Sequence, residues 1–399
     1  MHKASSNRII EAYENEICIE QWSIDIGLVD KNLVRKHQLP RYKLLKVFVS
    51  HTNRIRALRL CFLLVSNLLP LIFFFKALQC SFYILSSKKN TKILKEQNFY
   101  ITDTLLSLKN FKVVNDKFSF DNNNVVLYKD LKNVCSFLEL KEIGSLLKLV
   151  YETNDLLKKR SENLERLSYF ELKLHCVDLV EIAAFLLVIQ KLSKNDPNIY
   201  FDQHIQRWAY LISHTVEYKR SNLVQHGYLD ASVQFKHAFG EIGTAWILSE
   251  RFRELFLRIY KVGRFVIVKS ALTLQNHLES DGLTPKVFLA SSPVSIELEQ
   301  QFVQECLDNN ICVLFKKHPK YKYPGNAFHD FDDNRLFLLD NKSFPLCDVM
   351  VTFNSFLGFE YESLGIRVFF LEGSSIEERS NMVRKISSFE VQKDHLHND

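Results

Sequence analysis

The sequence predicts an α/β protein of two domains, with a parallel sheet in its C-terminal half. Two observations carry this expectation. The chain has 399 residues, long for one core and comfortable for two. Its C-terminal half alternates short apolar runs with helical stretches, the pattern of strand–helix–strand units joined by right-handed crossovers.

Taken in order, residues 265–268 form a short strand candidate. Residues 286–290 (Lys-Val-Phe-Leu-Ala) form a strand, followed by Ser-Ser-Pro and a helix over 295–309. Strands follow at 311–315, 335–339 and 349–353, then a helix near 358–364 and a last strand at 368–371. In such sheets a ligand lies beyond the carboxyl ends of the strands. The N-terminal half is less regular. Residues 16–22, 81–86 and 124–128 read as strands. From 131 to 192 the spacing of Leu146, Leu147, Val150, Tyr151, Leu156 and Leu157 gives one apolar helical face. Residues 179–192 predict a buried helix, ended by Asn195-Asp196-Pro197-Asn198, and 205–211 another that carries Trp208. The expected domains are 1–255, with extra helices, and 256–385, followed by a polar tail over 386–399.

Composition is that of an ordinary globular protein, with 47% hydrophobic and 25% charged residues. The net charge of +6 suits anionic small molecules or an anionic membrane face. No basic platform interleaved with aromatics argues for nucleic acid. The eight cysteines form no CxxC pair and sit mostly in apolar runs, which predicts buried reduced thiols and a cytoplasmic setting. The N-terminus lacks the apolar core of a signal peptide. The apolar stretch over 58–85 is broken by Arg59, Asn67, Pro70, Lys76 and Gln79, and its run over 60–75 falls short of a membrane span. A helix buried in the N-terminal domain is the first expectation for it. An interfacial helix flanked by Arg41, Lys43, Lys46, Arg54, Arg56 and Arg59 is the second, and a span the third.

Three groups of residues carry candidate chemistry. Lys316-Lys317-His318-Pro319 follows a strand directly. A lysine and a histidine there can face a phosphate, with Pro319 stiffening the exit; a loop histidine that caps carbonyls is the plainer alternative. The second group, Thr352 to Glu360, follows a strand and opens a helix, where hydroxyls and backbone N–H groups can hold an anion. Gly358 would permit close backbone approach, and Glu360 would accept ribose hydroxyls. Equally, Ser355 can be a simple cap and Glu360 a first-turn charge. In the third group, Gln225-His226-Gly227, Gly227 would allow a tight turn presenting His226 to bond a departing phosphate or move a proton; an ordinary histidine beside a turn glycine is the alternative. Several chemistries lack their motifs. There is no dinucleotide or P-loop glycine fingerprint, no zinc pattern and no GxSxG elbow. Asp330-Phe331-Asp332-Asp333 spells a metal-binding DxD but lies in a polar, loop-like stretch.

The order of the three groups resembles bacterial capsule polysaccharide biosynthesis glycosyltransferases. These are similar to the enzymes that use CMP-activated Kdo or sialic-acid-like sugars, and more distantly to the CDP-glycerol glycerophosphotransferases. The stretch VTFNSFLGFEYESLGIRVFFL over 351–371 matches most closely, and the resemblance covers roughly 222–371. It implies a GT-B architecture, two Rossmann-like domains facing a cleft, and inverting, metal-independent transfer with no cofactor. It also implies a nucleotide-sugar donor and a glycan or glycolipid acceptor, with peripheral contact at the inner membrane. His318 would contact the nucleotide phosphate, with Pro319 shaping the turn and Lys316 nearby. Asn354 and Ser355 would hold the phosphate, Glu360 the ribose, and His226 would line the opposite wall. The family often shows consecutive Ser/Thr residues where this chain has Phe353-Asn354-Ser355. An Asp or Glu of the N-terminal domain is expected as base, and Asp230, Glu217 and Asp25 are the candidates. A polyol-phosphate transferase and a non-catalytic assembly or export partner are the alternatives.

Overall fold

The computed structural model describes residues 2–25, 54–87, 97–114, 124–161, 176–202, 205–227, 232–276, 285–291, 296–317, 334–340, 342–353, 355–371 and 373–388. The fold is mixed α/β with two sheets. It divides into two compact units, Met1–Ile247 with Arg251–Val266, and Leu248–Glu250 with Ile267–Asp399.

In chain order the first unit contains helices α1 (His2–Asp25) and α2 (Arg54–Ser86) and strands β1 (Asn98–Thr102) and β2 (Val125–Leu127). Helices α3 (Leu131–Cys135), α4 (Ile143–Ser161) and α5 (Leu179–Ser193) follow, then strand β3 (Asn198–Phe201) and helix α6 (Arg207–Ser213). Strands β4 (Ser221–Val224) and β5 (Glu241–Ile247), helix α7 (Arg253–Ile259) and strand β6 (Lys261–Ile267) complete it. The sheet order is β2-β1-β3-β4-β5-β6. The pairs from β2 through β5 are parallel, with Tyr100 opposite Val125 and Tyr200. Because β6 lies beside β5, the first unit continues past residue 255.

Two expected strands are helices. Residues 16–22 carry the strand-favouring Ile17, Ile19 and Trp22, but they continue α1, whose inward face is set earlier by fully buried Ile9, Ile10, Ala12 and Tyr13. Residues 81–86 are the last turns of α2, where Ser81 Oγ donates back to the Ala77 carbonyl, a bond available only in a helix. The buried helix at 179–192 is α5, mostly apolar and buried on most of its surface, with Glu181, Gln190 and Lys191 as the polar positions of that stretch. The turn that ends it places Asp196 at φ +52°. Helix α1 packs on α4 and α6. There the buried Arg207 pairs with Asp178 and with Glu16 at 3.0 Å, and Tyr13 donates to Asp178 at 3.0 Å. A buried guanidinium tolerates desolvation only with such partners.

The second unit contains strand β7 (Lys286–Ala290), helix α8 (Ile296–Asp308), strands β8 (Cys312–Lys316), β9 (Leu336–Leu339) and β10 (Val349–Thr352), helix α9 (Leu357–Ser363), strand β11 (Arg367–Phe370) and helix α10 (Ile376–Ser387). All four strand pairings are parallel in the order β9-β8-β7-β10-β11. Alternate side chains face opposite ways. Val287, Leu289, Val313, Phe315, Val349 and Val351 pack with α8 and α10, while Phe288, Leu314 and Met350 pack with Tyr361 of α9 and with Leu272 and Leu274. The sheet is therefore covered on both faces, as parallel sheets require. Cys80, Cys135, Cys176, Cys306, Cys312 and Cys347 are buried free thiols, and Cys18 is half-buried. Helix α10 occupies the chain up to residue 387, and the remainder of the expected tail, 389–399, lies outside the described residues.

Candidate functional site

The strand orders decide where to look. In an open parallel sheet a crevice forms where the winding direction reverses, beyond the carboxyl ends of the two strands concerned. The first sheet has the flavodoxin-like order 2-1-3-4-5 extended by β6, so its reversal lies between β1 and β3. Counted within its own unit, the second sheet has the order 3-2-1-4-5, so its reversal lies between β7 and β10.

At the first reversal the chain places polar groups that the sequence did not reveal. Asp202 follows the last residue of β3 and is fully buried. Its Oδ2 accepts from Thr102 Oγ1 at 3.0 Å and from Asn110 Nδ2 at 2.9 Å. Asp103, next after β1, accepts from Ser107 Oγ at 2.6 Å and from Lys129 Nζ at 3.0 Å. The two carboxyls titrate in opposite directions. Burial pushes Asp202 up, outweighing the nearby His226 imidazole and the bonds from Asn110 and Thr102. Burial also pushes Asp103 up, but the bonds from Ser107 and Lys129 outweigh it and hold the group below its ordinary value. Two carboxyls driven apart by their surroundings mark a candidate place for proton chemistry.

His226 belongs to this group. It stands just past β4, the strand beside β3, and is half-buried. It lies close enough that its imidazole acts to lower the pKa of both Asp103 and Asp202. The fully buried Asp202 cannot itself reach a substrate, whereas His226 is partly exposed. Gly227 is not required by crowding, since a Cβ there would meet nothing within 4 Å, and its φ is not in the left-handed region. The structure thus gives no conformational reason for a glycine at this position, and residues 228–231 after it lie outside the described residues. Asp230 lies outside the described residues. Glu217 is exposed on the surface. Asp25 is the last residue of α1.

At the second reversal the Thr352 hydroxyl ties the two strand ends together. It donates to the Ala290 carbonyl at 3.1 Å and accepts from the Ser355 N–H at 3.1 Å. Ser355 Oγ accepts from the Leu357 N–H at 3.3 Å, so Ser355 caps the first turn of α9. Glu360 Oε1 accepts from Ser270 Oγ at 3.2 Å. Gly358 serves packing: a Cβ there would lie 2.8 Å from the Phe370 ring and 3.0 Å from Thr352 Cγ2. The glycine lets α9 sit close on β10 and β11, and the expected role in approaching a ligand has no such crowding behind it. Ser291, after β7, is buried and donates to Glu299 of α8.

Lys316 ends β8, two strands from β10 and about 10 Å away across the sheet. Its ammonium is buried, donates to the Ser343 carbonyl at 2.7 Å and sits 3.6 Å from the centre of the Phe344 ring. These partners account for its position without a phosphate. His318, Pro319 and Asn354 lie outside the described residues, as does the DxD-like stretch at 330–333. Among the described residues no group of three or more His, Cys, Asp or Glu is arranged to hold a metal ion.

The signal for Asp202 was present but unread. Asn-Ile-Tyr-Phe-Asp over 198–202 alternates in and out of the sheet and ends in a carboxylate, which is how a strand delivers an acidic group to a sheet edge. The preceding turn cluster drew residue 198 into a loop and hid the strand.

The fold and its polar edges define a two-unit α/β protein with two open, mainly parallel sheets, each with hydroxyl or carboxyl groups at its point of reversal. No family model, curated protein or solved structure matches the chain.

Proposed function

We propose that the chain is a glycosyltransferase of the GT-B type that moves a sugar from a nucleotide donor, CMP-linked, to a surface-polysaccharide acceptor on the cytoplasmic side of a membrane. One observation carries the proposal most directly: His226 stands at a sheet edge beside the buried Asp202, whose carboxyl is held by Thr102 and Asn110. Inverting transfer requires a base for the acceptor hydroxyl. His226 would take that proton while the acceptor oxygen bonds the anomeric carbon. The bond from that carbon to the phosphate breaks, and the nucleotide leaves with the electron pair. Asp202, acting through His226, would stabilise the imidazolium that forms.

On the donor side, the reversal between β7 and β10 offers Ser355 and Glu360 for the nucleotide; His318, which the resemblance assigns to the phosphate, would stabilise the charge that develops on the leaving group. The resemblance over 222–371 and the parallel order of the second sheet both support this assignment. A thermal-shift series with CMP, CDP, UDP and GDP tests it, because a ligand that binds only the folded state raises the melting temperature. A rise with cytidine nucleotides is expected. No rise with any of the four would remove the donor assignment. Nucleotide release from CDP-glycerol, but not from CMP-sugars, would replace glycosyl transfer by polyol-phosphate transfer.

A further inference from the structure

Helix α2 has two apolar faces. Leu69, Phe73, Ala77, Cys80 and Ile84 are buried against the first unit. On the opposite side Leu71, Phe74, Phe75, Leu78, Phe82 and Leu85 are each more than half exposed. At 100° per residue these six fall within about 120° of the helix circumference, one continuous greasy stripe. Scattered exposed leucines need no explanation, but a continuous stripe of this kind marks a surface made to be covered.

Two observations say what covers it. The first is charge. Between residues 31 and 95 the chain carries 14 of its 52 Lys and Arg and none of its 46 Asp and Glu. A segment so one-sided is repelled by a second copy of itself and attracted to an anionic surface. The second is the placement of Lys76, the one charge within residues 68–86. It is turned to the buried side, where its ammonium pairs with Glu181 of α5 and donates to the Val177 carbonyl at 3.1 Å. The outward stripe is left without any charge, and the helix is tethered to the body of the unit. The window Leu68–Ser86 is long and apolar enough to cross a bilayer. Crossing would nevertheless pull Lys76 from Glu181, a carboxyl that burial already pushes above its ordinary value. A helix held on one side by protein and apolar on the other is suited to lie in the plane of the interface.

We propose that the exposed face of α2 docks the protein onto an anionic lipid bilayer, lying flat in the headgroup–acyl boundary with the basic flanks on the headgroups. The inference is independent of the transferase assignment.

Flotation of the full chain with vesicles tests it, using phosphatidylcholine alone and phosphatidylcholine mixed about 7:3 with phosphatidylglycerol. Binding to the mixed vesicles is expected, weakened by added salt. Phe75→Gln with Phe82→Gln should lower partitioning about tenfold or more while leaving the melting temperature and any nucleotide-induced shift unchanged, since both rings are exposed. Leu78→Gln alone, expected to weaken binding less, keeps the test open if the double variant misfolds. A wild-type chain that stays in the soluble fraction overturns the proposal. So does equal binding to the neutral vesicles. A dimer, seen by light scattering without lipid and dispersed by the double variant, would show that a second copy covers the stripe and would overturn it as well.

Discussion

Thr102 and Asp202, at the ends of neighbouring strands, are joined by a hydrogen bond of 3.0 Å from the threonine hydroxyl to the carboxylate, and both residues are fully buried. The bond lies where the first sheet reverses its winding. It holds a buried carboxyl, influenced by the nearby His226, in a place where water cannot satisfy it.

Asp202→Asn keeps the shape and leaves an oxygen to accept from Thr102 and Asn110. If Asp202 supports His226, turnover falls by about two orders of magnitude or more. In the wild type, turnover falls as the pH drops through the raised pKa of Asp202. Stability behaves in the opposite sense. Because the folded pKa is raised, the stability this group contributes is present below the ordinary aspartate pKa and lost as pH rises through the folded value. Asparagine has no charge to bury, so the variant should melt at or above the wild type at neutral pH. Pairing pH–rate profiles with melting curves checks both, and a variant melting well below wild type at neutral pH would contradict the account.

Glu14 gives the contrary case in the same unit. Burial pushes it up, but His237 at 2.5 Å, Lys236 at 3.0 Å and Arg160 at 3.1 Å outweigh that and lower its pKa. Its stabilisation is present above the ordinary glutamate pKa and lost as pH falls through the depressed folded value. Glu14→Gln should cost about 1–3 kcal/mol near neutrality, and the difference from wild type should close in acid. Urea titrations at two pH values measure it; a deficit that persists unchanged in acid would rule this out.

Gly358 separates packing from ligand binding. Gly358→Ala drives a methyl into the Phe370 ring, an overpacking worth about 1–3 kcal/mol. Adding Phe370→Leu should recover much of that loss. Were the glycine kept for a ligand, the double variant would melt normally yet show no nucleotide-induced shift.

The second unit was legible because each of its strands is a short apolar run bounded by polar residues, and β7 and β10 are buried along nearly their whole length. In the first unit the same signals misled. Residues 16–22 carry strand-favouring Ile17, Ile19 and Trp22, but the helix around them is set by Ile9, Ile10 and Tyr13 upstream. The aromatic, β-branched residues 81–86 continue a helix of 33 residues. Strands β1, β3 and β5 went unread, and Asp103 and Asp202 with them, because a carboxylate means little until the neighbouring strand is known. Which strands are neighbours is a property of the topology, and no local pattern states it. Lys316 shows the reverse: a lysine at a strand end suggested phosphate, and its bond to Ser343 and contact with Phe344 became visible only in three dimensions.

The most direct test of the central claim is acceptor-dependent release of nucleotide from a sugar donor by the purified full-length chain, compared with His226→Ala and His318→Ala. The account predicts release from CMP-linked donors that rises with added glycan acceptor and falls about 10²-fold or more in each variant with no change in melting temperature. Full turnover by both variants, or no release from any nucleotide donor by the wild type, would contradict it.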